Sequence, residues 1–162
     1  VGFGTGNSIK DLYQRNKQNY FCIESYELGV NNIYKFINKN NIENIHVYQG
    51  NAIEIIEDNF IDSVMDEILI FFPDPWPKTK HRKRRILNTY SIELFFSKLK
   101  NDGTFHFATD HIEYAYSMKD LISDYTNKKV FFSNNRRYRP ITNYELRGIK
   151  RKNFIFDIIL KK

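Results

Sequence analysis

The sequence predicts a single α/β domain over residues 1–162, with a mostly parallel β-sheet that carries helices on both faces. Short apolar runs of strand length alternate along the chain with stretches in which apolar residues recur at helical spacing. Such alternation is typical of parallel sheets, because two parallel strands are joined through a crossover helix. With 162 residues, 41% of them hydrophobic, the chain can bury one core and is too apolar for the disordered class.

Six apolar runs are predicted to be strands, and the last of them ends the chain with no helix after it. They are residues 20–24, 45–48, 67–72, 104–108, 130–132 and 154–160.

Four stripes of apolar residues with helical spacing predict the helices between the strands. They are Ile9, Leu12 and Tyr13; Val30, Ile33, Tyr34 and Ile37; Ile92, Phe95, Phe96 and Leu99; and Ala115, Met118 and Ile122.

The positive charge is concentrated in one place. The chain has 25 Lys and Arg against 19 Asp and Glu, a net charge of +6, and residues 78–85 alone hold six cations and no acid. We call residues 78–85 the basic segment. In the rest of the chain, the numbers of basic and acidic residues are equal. Six neighbouring cations repel one another, which is tolerable where they meet phosphates, so the segment favours nucleic-acid binding over a merely solvated face.

Several classes of protein are excluded or disfavoured by simple counts. No apolar run approaches the roughly 18 residues that span a bilayer. The single cysteine, Cys22, excludes an internal disulfide and a cysteine-rich metal site, and the histidines lack ligand spacing, so we expect no metal. A lone cysteine suits a reducing compartment, the cytoplasm.

Because the chain begins at Val1 without Met, inside a glycine-rich stretch, we expect a truncated start that lacks a first strand.

The glycine-rich stretch at the start favours a cofactor of the adenosine type. Gly2, Gly4 and Gly6 precede a predicted helix, where glycine lets the backbone turn tightly and approach a ligand. The spacing is neither that of a P-loop nor the dinucleotide fingerprint. Glu24 ends the next predicted strand, where a carboxylate can accept hydrogen bonds from ribose hydroxyls. The alternative is an ordinary turn and a solvated strand end.

Asn51 follows the strand at 45–48 and has two interpretations. Its amide could bind an adenine edge. Equally, Asn51 and Glu54 have the spacing of a helix-capping box.

A stiff acidic loop follows the buried strand at 67–72. Three prolines among residues 73–77 fix the backbone around Asp74, at the strand end where open α/β sheets bind ligands. Trp76 could stack on a base. The alternative makes Asp74 a turn residue and Trp76 a buried plug.

A second basic region interleaves cations with tyrosines near the C-terminus. It could extend a nucleic-acid surface or form a solvated edge, and the sequence leaves both open. Its cations are Arg136, Arg137, Arg139, Arg147, Lys150, Arg151 and Lys152.

Taken in order, these motifs resemble the bacterial-type tRNA (guanine-N7)-methyltransferases over essentially the whole chain. The proline–aspartate loop with its basic tail is the most specific of them. The matching stretches are residues 2–7, 23–24, 72–78, 81–85, 108–110 and 139–148.

The resemblance implies a Rossmann-like class I methyltransferase fold with an antiparallel C-terminal strand. It also implies methyl transfer from S-adenosylmethionine to N7 of the variable-loop guanosine at position 46 of tRNA. Rival interpretations are methylation of another base or amine, and an inert tRNA-binding subunit on the same scaffold. The sequence leaves the oligomeric state open.

Residue roles follow from the same resemblance. Asp74 would be catalytic, and Gly2, Gly4, Gly6, Glu24, Asn51 and Asp74 would bind the cofactor. Substrate-binding residues would be Lys78, Asp110, Thr142, Asn143, Tyr144 and Glu145, and RNA-binding residues Lys80, His81, Arg82, Lys83, Arg84 and Arg85. Asp110 with Glu113, and Thr142 with Glu145, also have the spacing of helix caps.

Overall fold

A computed structural model describes all residues, 1–162, and they form two compact units. Unit 1 comprises Val1–Asp58 and Arg137–Thr142, and unit 2 comprises Asn59–Arg136 and Asn143–Lys162. The single domain over residues 1–162 stays a prediction.

Unit 1 pairs two parallel strands joined by a helix. Its elements are α1 (Asn7–Arg15), β1 (Tyr20–Glu24), α2 (Glu27–Asn40), β2 (Ile45–Gln49) and α3 (Ala52–Asn59), whose last residue is assigned to unit 2. In the parallel pair of β1 and β2, Cys22 lies opposite Val47.

The core of unit 1 confirms most of the second apolar stripe. Val30 and Ile33 of α2 are buried with Phe3, Cys22 and other residues of the unit. Tyr34 differs from the prediction, because 45% of it is exposed and its hydroxyl donates to the Val47 carbonyl (3.3 Å). A tyrosine at the edge of a stripe can keep its ring against the protein while its hydroxyl finds a polar partner near the surface.

Unit 2 contains a mixed sheet in the order β3-β4-β5. Strands β3 and β4 are parallel, and β4 and β5 are antiparallel, which confirms the implied antiparallel C-terminal strand. The elements are β3 (Met65–Phe71), a 3-10 turn (Thr79–Arg84), α4 (Thr89–Lys98), β4 (Leu99–Thr109), α5 (Ile112–Thr126), α6 (Asn143–Lys150) and β5 (Phe156–Lys161).

Side-chain caps set the starts of α4 and α5 in unit 2. Asn88 and Ser91 form a reciprocal capping box at α4. At α5 the cap is His111, whose Nδ1 accepts from the Tyr114 N–H (3.3 Å), so the capping role considered for Asp110 is wrong.

None of the helices is long and apolar enough to cross a bilayer.

The predicted strand at 130–132 is wrong. Val130 is buried, but Phe131 is 66% exposed, and Phe132 packs its ring on Tyr116 and Phe156. Only the following residue, Ser133, makes a single bridge to β5. Val130 and Phe132 are used in packing, while the backbone of the three residues forms no ladder.

A buried polar pair links the two antiparallel strands of unit 2. His106 Nε2 lies 2.7 Å from Asp157 Oδ1, and both residues are buried. The Phe71 ring of β3 meets the imidazole edge-on. A charge or polar group in such a place is stable only with its partner.

We predict that Asp157→Ala lowers the free energy of unfolding by about 3 kcal/mol, because it leaves the buried imidazole of His106 without its acceptor. Chemical denaturation measures the loss. Asp66→Ala is the control, since the Asp66–Lys100 ion pair is exposed and is worth less than about 1 kcal/mol. Equal losses in the two variants would contradict the assignment.

Candidate functional site

The glycine-rich stretch of unit 1 is a turn that needs its glycines. Gly2, Gly4 and Gly6 have φ values of +68°, +58° and +88°, a region that side chains with Cβ rarely adopt. The Gly2 N–H donates to the Ile23 carbonyl (2.8 Å), which fixes the loop beside β1. A Cβ on Gly2 would meet nothing within 4 Å, so this backbone is open to a ligand.

A fourth glycine, which the sequence did not single out, completes this loop. A Cβ on Gly29 of α2 would lie 1.8 Å from the Gly4 carbonyl oxygen, so only glycine allows the first turn of α2 to approach the loop so closely. The sequence shows only a glycine five residues after Glu24. Its role could not be predicted, because it depends on the contact with Gly4, which lies 25 residues earlier in the chain.

Glu24 anchors both the glycine loop and the start of α2. Its Oε2 accepts the Gly4 N–H (2.6 Å), while Oε1 accepts the N–H groups of Ser25 (2.8 Å) and Tyr26 (2.9 Å). A carboxylate offers about four acceptor positions, so Oε2 retains capacity for one more donor. The half-buried carboxylate therefore fits a cofactor hydroxyl beside an open glycine backbone, with less free capacity than the sequence suggested.

Asn51 is used as a helix cap. Its Oδ1 accepts the Ile53 N–H (3.0 Å) and its Nδ2 donates to Glu54 (2.9 Å). The side chain is exposed. The capping interpretation thus describes its contacts, and its predicted contact with an adenine stays a prediction.

In unit 2, the acidic loop leaves β3 through strained backbone. The Phe72 N–H still donates to the Ala108 carbonyl of β4 (2.7 Å), but Phe72 and Trp76 have φ values of +52° and +41°. Both precede a proline, and left-handed backbone at a bulky residue costs about 1–3 kcal/mol. Between them, the exposed carboxylate of Asp74 makes no hydrogen bond within the protein. The loop presents this acid to solvent in a fixed backbone frame.

Arg85 holds this loop from inside the unit. Its Nε donates to the Pro75 carbonyl (2.8 Å), its Nη2 binds the Glu113 carboxylate of α5, and its guanidinium lies 4.5 Å from the centre of the Tyr114 ring. Arg85 is only 6% exposed. We therefore assign it to the interior rather than to the RNA-binding stretch in which the resemblance placed it.

The two α5 residues that surround Arg85 have shifted acidities. The Arg85 guanidinium lowers the pKa of Glu113, with Arg82 adding to the effect, whereas burial raises the pKa of Tyr114. Asp74 adds to the shift of Tyr114, so its carboxylate acts electrostatically on the tyrosine beneath the loop. Glu113 stays ionised and Tyr114 stays neutral at pH 7.

The rest of the basic segment is largely exposed, and it forms an ordered 3-10 turn. Arg82 approaches Glu113 (3.4 Å), while Lys78, Lys80 and Lys83 have no ion-pair partner. Arg84 lies over the Trp76 ring, 5.0 Å from its centre. One face of Trp76, predicted to stack on a base, is thus occupied by a cation of the same segment.

The remaining predicted substrate residues lie in two places. Asp110 follows β4, where its Oδ2 accepts from Asn153 (2.9 Å) and lies where a Cβ on Gly148 would clash (2.7 Å). Thr142 belongs to unit 1, and Asn143 and Tyr144 are exposed in unit 2.

Glu145 makes a contact inside unit 2, and its predicted contact with a substrate stays a prediction. It is 3% exposed and its Oε2 accepts from Arg136 (3.0 Å), so its carboxylate is buried in an ion pair.

Histidine and cysteine side chains have structural roles where their contacts are seen. His46 stacks on Phe21, His106 pairs with Asp157, and His111 caps α5. Burial raises the pKa of Cys22 to about 12, which keeps the thiol unreactive. No group of three or more His, Cys, Asp or Glu side chains could hold a metal ion.

Comparison with known proteins identifies the family. A family model described as "Putative methyltransferase" matches residues 1–158. The tRNA (guanine-N(7)-)-methyltransferase of Francisella tularensis subsp. novicida is 39% identical over all of this chain and 72% of the relative. The chain belongs to the tRNA (guanine-N(7)-)-methyltransferase family.

Solved structures similar to this family member have the same fold at low sequence identity. An antibiotic-related methyltransferase aligns with a TM-score of 0.70 and 18% identity, covering 100% of this chain and 85% of that one. A protein from Streptococcus mutans described as "a putative methyltransferase", solved in complex with SAH, aligns with a TM-score of 0.58 and 12% identity, covering 99% of this chain and 84% of that one. The α/β fold is therefore that of S-adenosylmethionine-dependent methyltransferases, as the resemblance implied.

We predict that Gly29→Ala disrupts the glycine loop, because the added methyl group meets the Gly4 carbonyl. The free energy of unfolding should fall by about 1–3 kcal/mol, and affinity for S-adenosylmethionine by tenfold or more. Denaturation and calorimetric titration measure the two effects. Lys35→Ala, at an exposed position of α2, is the control and should change neither; a Gly29→Ala protein with unchanged affinity would refute the loop's role.

We predict that the neighbouring arginines Arg85 and Arg84 differ in their effect on stability. Arg85→Gln should lower the free energy of unfolding by about 2–3 kcal/mol, since it loses charged hydrogen bonds inside the unit. Arg84→Gln should cost about 0.5–1 kcal/mol, because it removes only an exposed contact with Trp76. Urea denaturation compares the two, and equal costs would place Arg85 outside the interior.

Proposed function

We propose that this chain transfers a methyl group from S-adenosylmethionine to N7 of a guanosine in tRNA. The proposal rests on its membership of a family whose named relatives are tRNA (guanine-N(7)-)-methyltransferases. The observation in the chain that supports it best is the exposed, unpartnered carboxylate of Asp74 in a strained loop, next to a segment rich in exposed cations. The variable-loop target and the cytoplasmic location remain predictions.

The proposed cofactor-binding residues are those of the glycine loop together with Glu24. Backbone N–H groups and one open acceptor position on a carboxylate suit a ligand with ribose hydroxyls and an amino-acid tail. When bound, S-adenosylmethionine supplies a methyl group on a positively charged sulfur. Asn51 and Asp74 complete the proposed set.

Methylation of guanine N7 requires no proton transfer to or from the protein. N7 carries a free lone pair and no proton, so no residue need act as a general base. The protein must instead orient the guanine and exclude competing geometries, which can account for much of a rate enhancement. We propose that the fixed loop around Asp74 provides this orientation.

Asp74 has a second proposed role during transfer. Methylation places a positive charge on the purine, and a carboxylate already held in position stabilises that charge without reorganisation. The contact of Arg85 with the Pro75 carbonyl holds the backbone that carries Asp74, against the strain at Phe72 and Trp76.

The basic segment is proposed to bind the tRNA backbone. Lys78, Lys80 and Lys83 are exposed without ion-pair partners, and Arg82 and Arg84 are also exposed. Cations in this state can each neutralise a phosphate and release a counterion. Arg85 is not included, because it is buried.

Incubation with tRNA and methyl-labelled S-adenosylmethionine tests the function. We expect label in tRNA and strand scission at the modified guanosine after borohydride and aniline treatment. Label without scission would overturn N7 as the target and support methylation of another atom. Binding of cofactor and tRNA without label would support an inert tRNA-binding subunit.

We predict that Asp74→Asn lowers the rate of methyl transfer at saturating substrates by about 100-fold, as expected for loss of a preorganised charge contact. Single-turnover assays measure the rate. Asp66→Asn, an exposed acid at the other end of β3, should leave it unchanged. A wild-type rate in the Asp74→Asn protein would rule out the proposed role.

A further inference from the structure

A second concentration of positive charge lies between residues 128 and 152. This range holds nine Lys and Arg side chains and one acid, Glu145, although the chain outside the basic segment has equal numbers of cations and acids. That overall balance hides the cluster, because acids prevail elsewhere. The second basic region singled out in the sequence lies within this range, so the chain outside the basic segment is neutral only on average.

The cluster becomes a surface at the end of α6. Glu145 and Gly148 face the interior, where Glu145 pairs with Arg136 and Gly148 packs on Asp110. The cations that follow along the chain point outward. Arg147, Lys150, Arg151 and Lys152 are all exposed and have no ion-pair partner. We call these four residues the α6 cation cluster.

Aromatic side chains accompany the α6 cation cluster. The guanidinium of Arg147 lies 4.5 Å from the centre of the Tyr144 ring, and Tyr144 is 48% exposed. Phe154, just after the cluster, is 80% exposed. Exposed cations interleaved with exposed rings are typical of surfaces that bind nucleic acids. Stacking on Tyr144 also restricts Arg147 before binding, which reduces the entropy lost on contact.

The fold places this surface at the functional end of unit 2. Asp110 and Asp74 follow the carboxyl ends of β4 and β3, which are adjacent parallel strands with Phe71 opposite Ala108. α6 packs through Gly148 directly on Asp110, and Asn153, which follows the cluster, donates to the same carboxylate.

Building on the proposed function, we propose that the α6 cation cluster is a second contact surface for the tRNA backbone, separate in sequence from the basic segment. Phosphates are the complementary partner for four unpaired cations. A second copy of the chain is disfavoured, because a two-fold contact through this surface would bring eight cations together.

The test measures tRNA affinity of the full chain over a range of salt concentrations. Each phosphate contact contributes about 0.7–0.9 to the slope of log affinity against log salt. The slope is negative, and its magnitude should fall by about three in the fourfold variant Arg147→Gln/Lys150→Gln/Arg151→Gln/Lys152→Gln. In the double variant Lys150→Gln/Arg151→Gln it should fall by about half as much. Lys35→Gln/Lys39→Gln, which removes two exposed cations from α2, is the matched control and should keep the wild-type slope.

The outcomes separate this inference from the proposed function. Failure of the wild-type chain to bind tRNA would overturn both. Binding without methylation, with the slope still reduced in the fourfold variant, would overturn only the proposed methyl transfer. Normal methylation by the wild type with an unchanged slope in the fourfold variant would overturn only the α6 surface. An unchanged slope together with loss of self-association in sedimentation would show that the surface contacts another copy instead.

Discussion

The contact between the Arg85 guanidinium and the Pro75 carbonyl connects the acidic loop to the interior of unit 2. The loop after β3 contains two bulky residues in left-handed backbone, which costs free energy and would relax without a restraint. Arg85 supplies that restraint from the end of the 3-10 turn, and Glu113 and Tyr114 of α5 hold Arg85 in turn. The exposed position of Asp74 thus depends on a buried cation eleven residues later in the chain.

Unit 1 uses a comparable arrangement around Glu24. One carboxylate accepts three backbone N–H groups, from the glycine loop on one oxygen and from the start of α2 on the other. The close approach of Gly29 to Gly4 makes the same connection through van der Waals contact. In both units, an ion held by several groups fixes a loop that strand or helix hydrogen bonds alone would leave unrestrained.

Much of the fold follows from local sequence patterns. The apolar runs of β1 and β2 and the helical stripe of α4 match the structure closely, because burial of one face and residue spacing are coupled. The strand predicted at 130–132 was wrong, because a short apolar run that packs on α5 has the same sequence pattern as a strand. Helix α6 was not marked by a stripe, because its buried positions are Glu145 and Gly148 rather than large apolar residues.

The candidate site was predictable as a set of residues but not as a set of contacts. Proline spacing identified Asp74 and the glycine pattern identified Gly2, Gly4 and Gly6. Charge alone could not distinguish the buried Arg85 from the exposed Arg84 beside it, because burial depends on partners 10 and 28 residues away. The same limit applies to Glu145, whose ion pair with Arg136 places it inside the unit.

The central claim is that the loop held by Arg85 presents the Asp74 carboxylate to the target guanine. A structure of the protein bound to tRNA and S-adenosylhomocysteine tests it most directly. The account predicts an Asp74 oxygen within about 2.6–3.2 Å of a donor on the guanine, with Arg85 still bound to the Pro75 carbonyl. A guanine bound elsewhere, with Asp74 facing solvent, would contradict it.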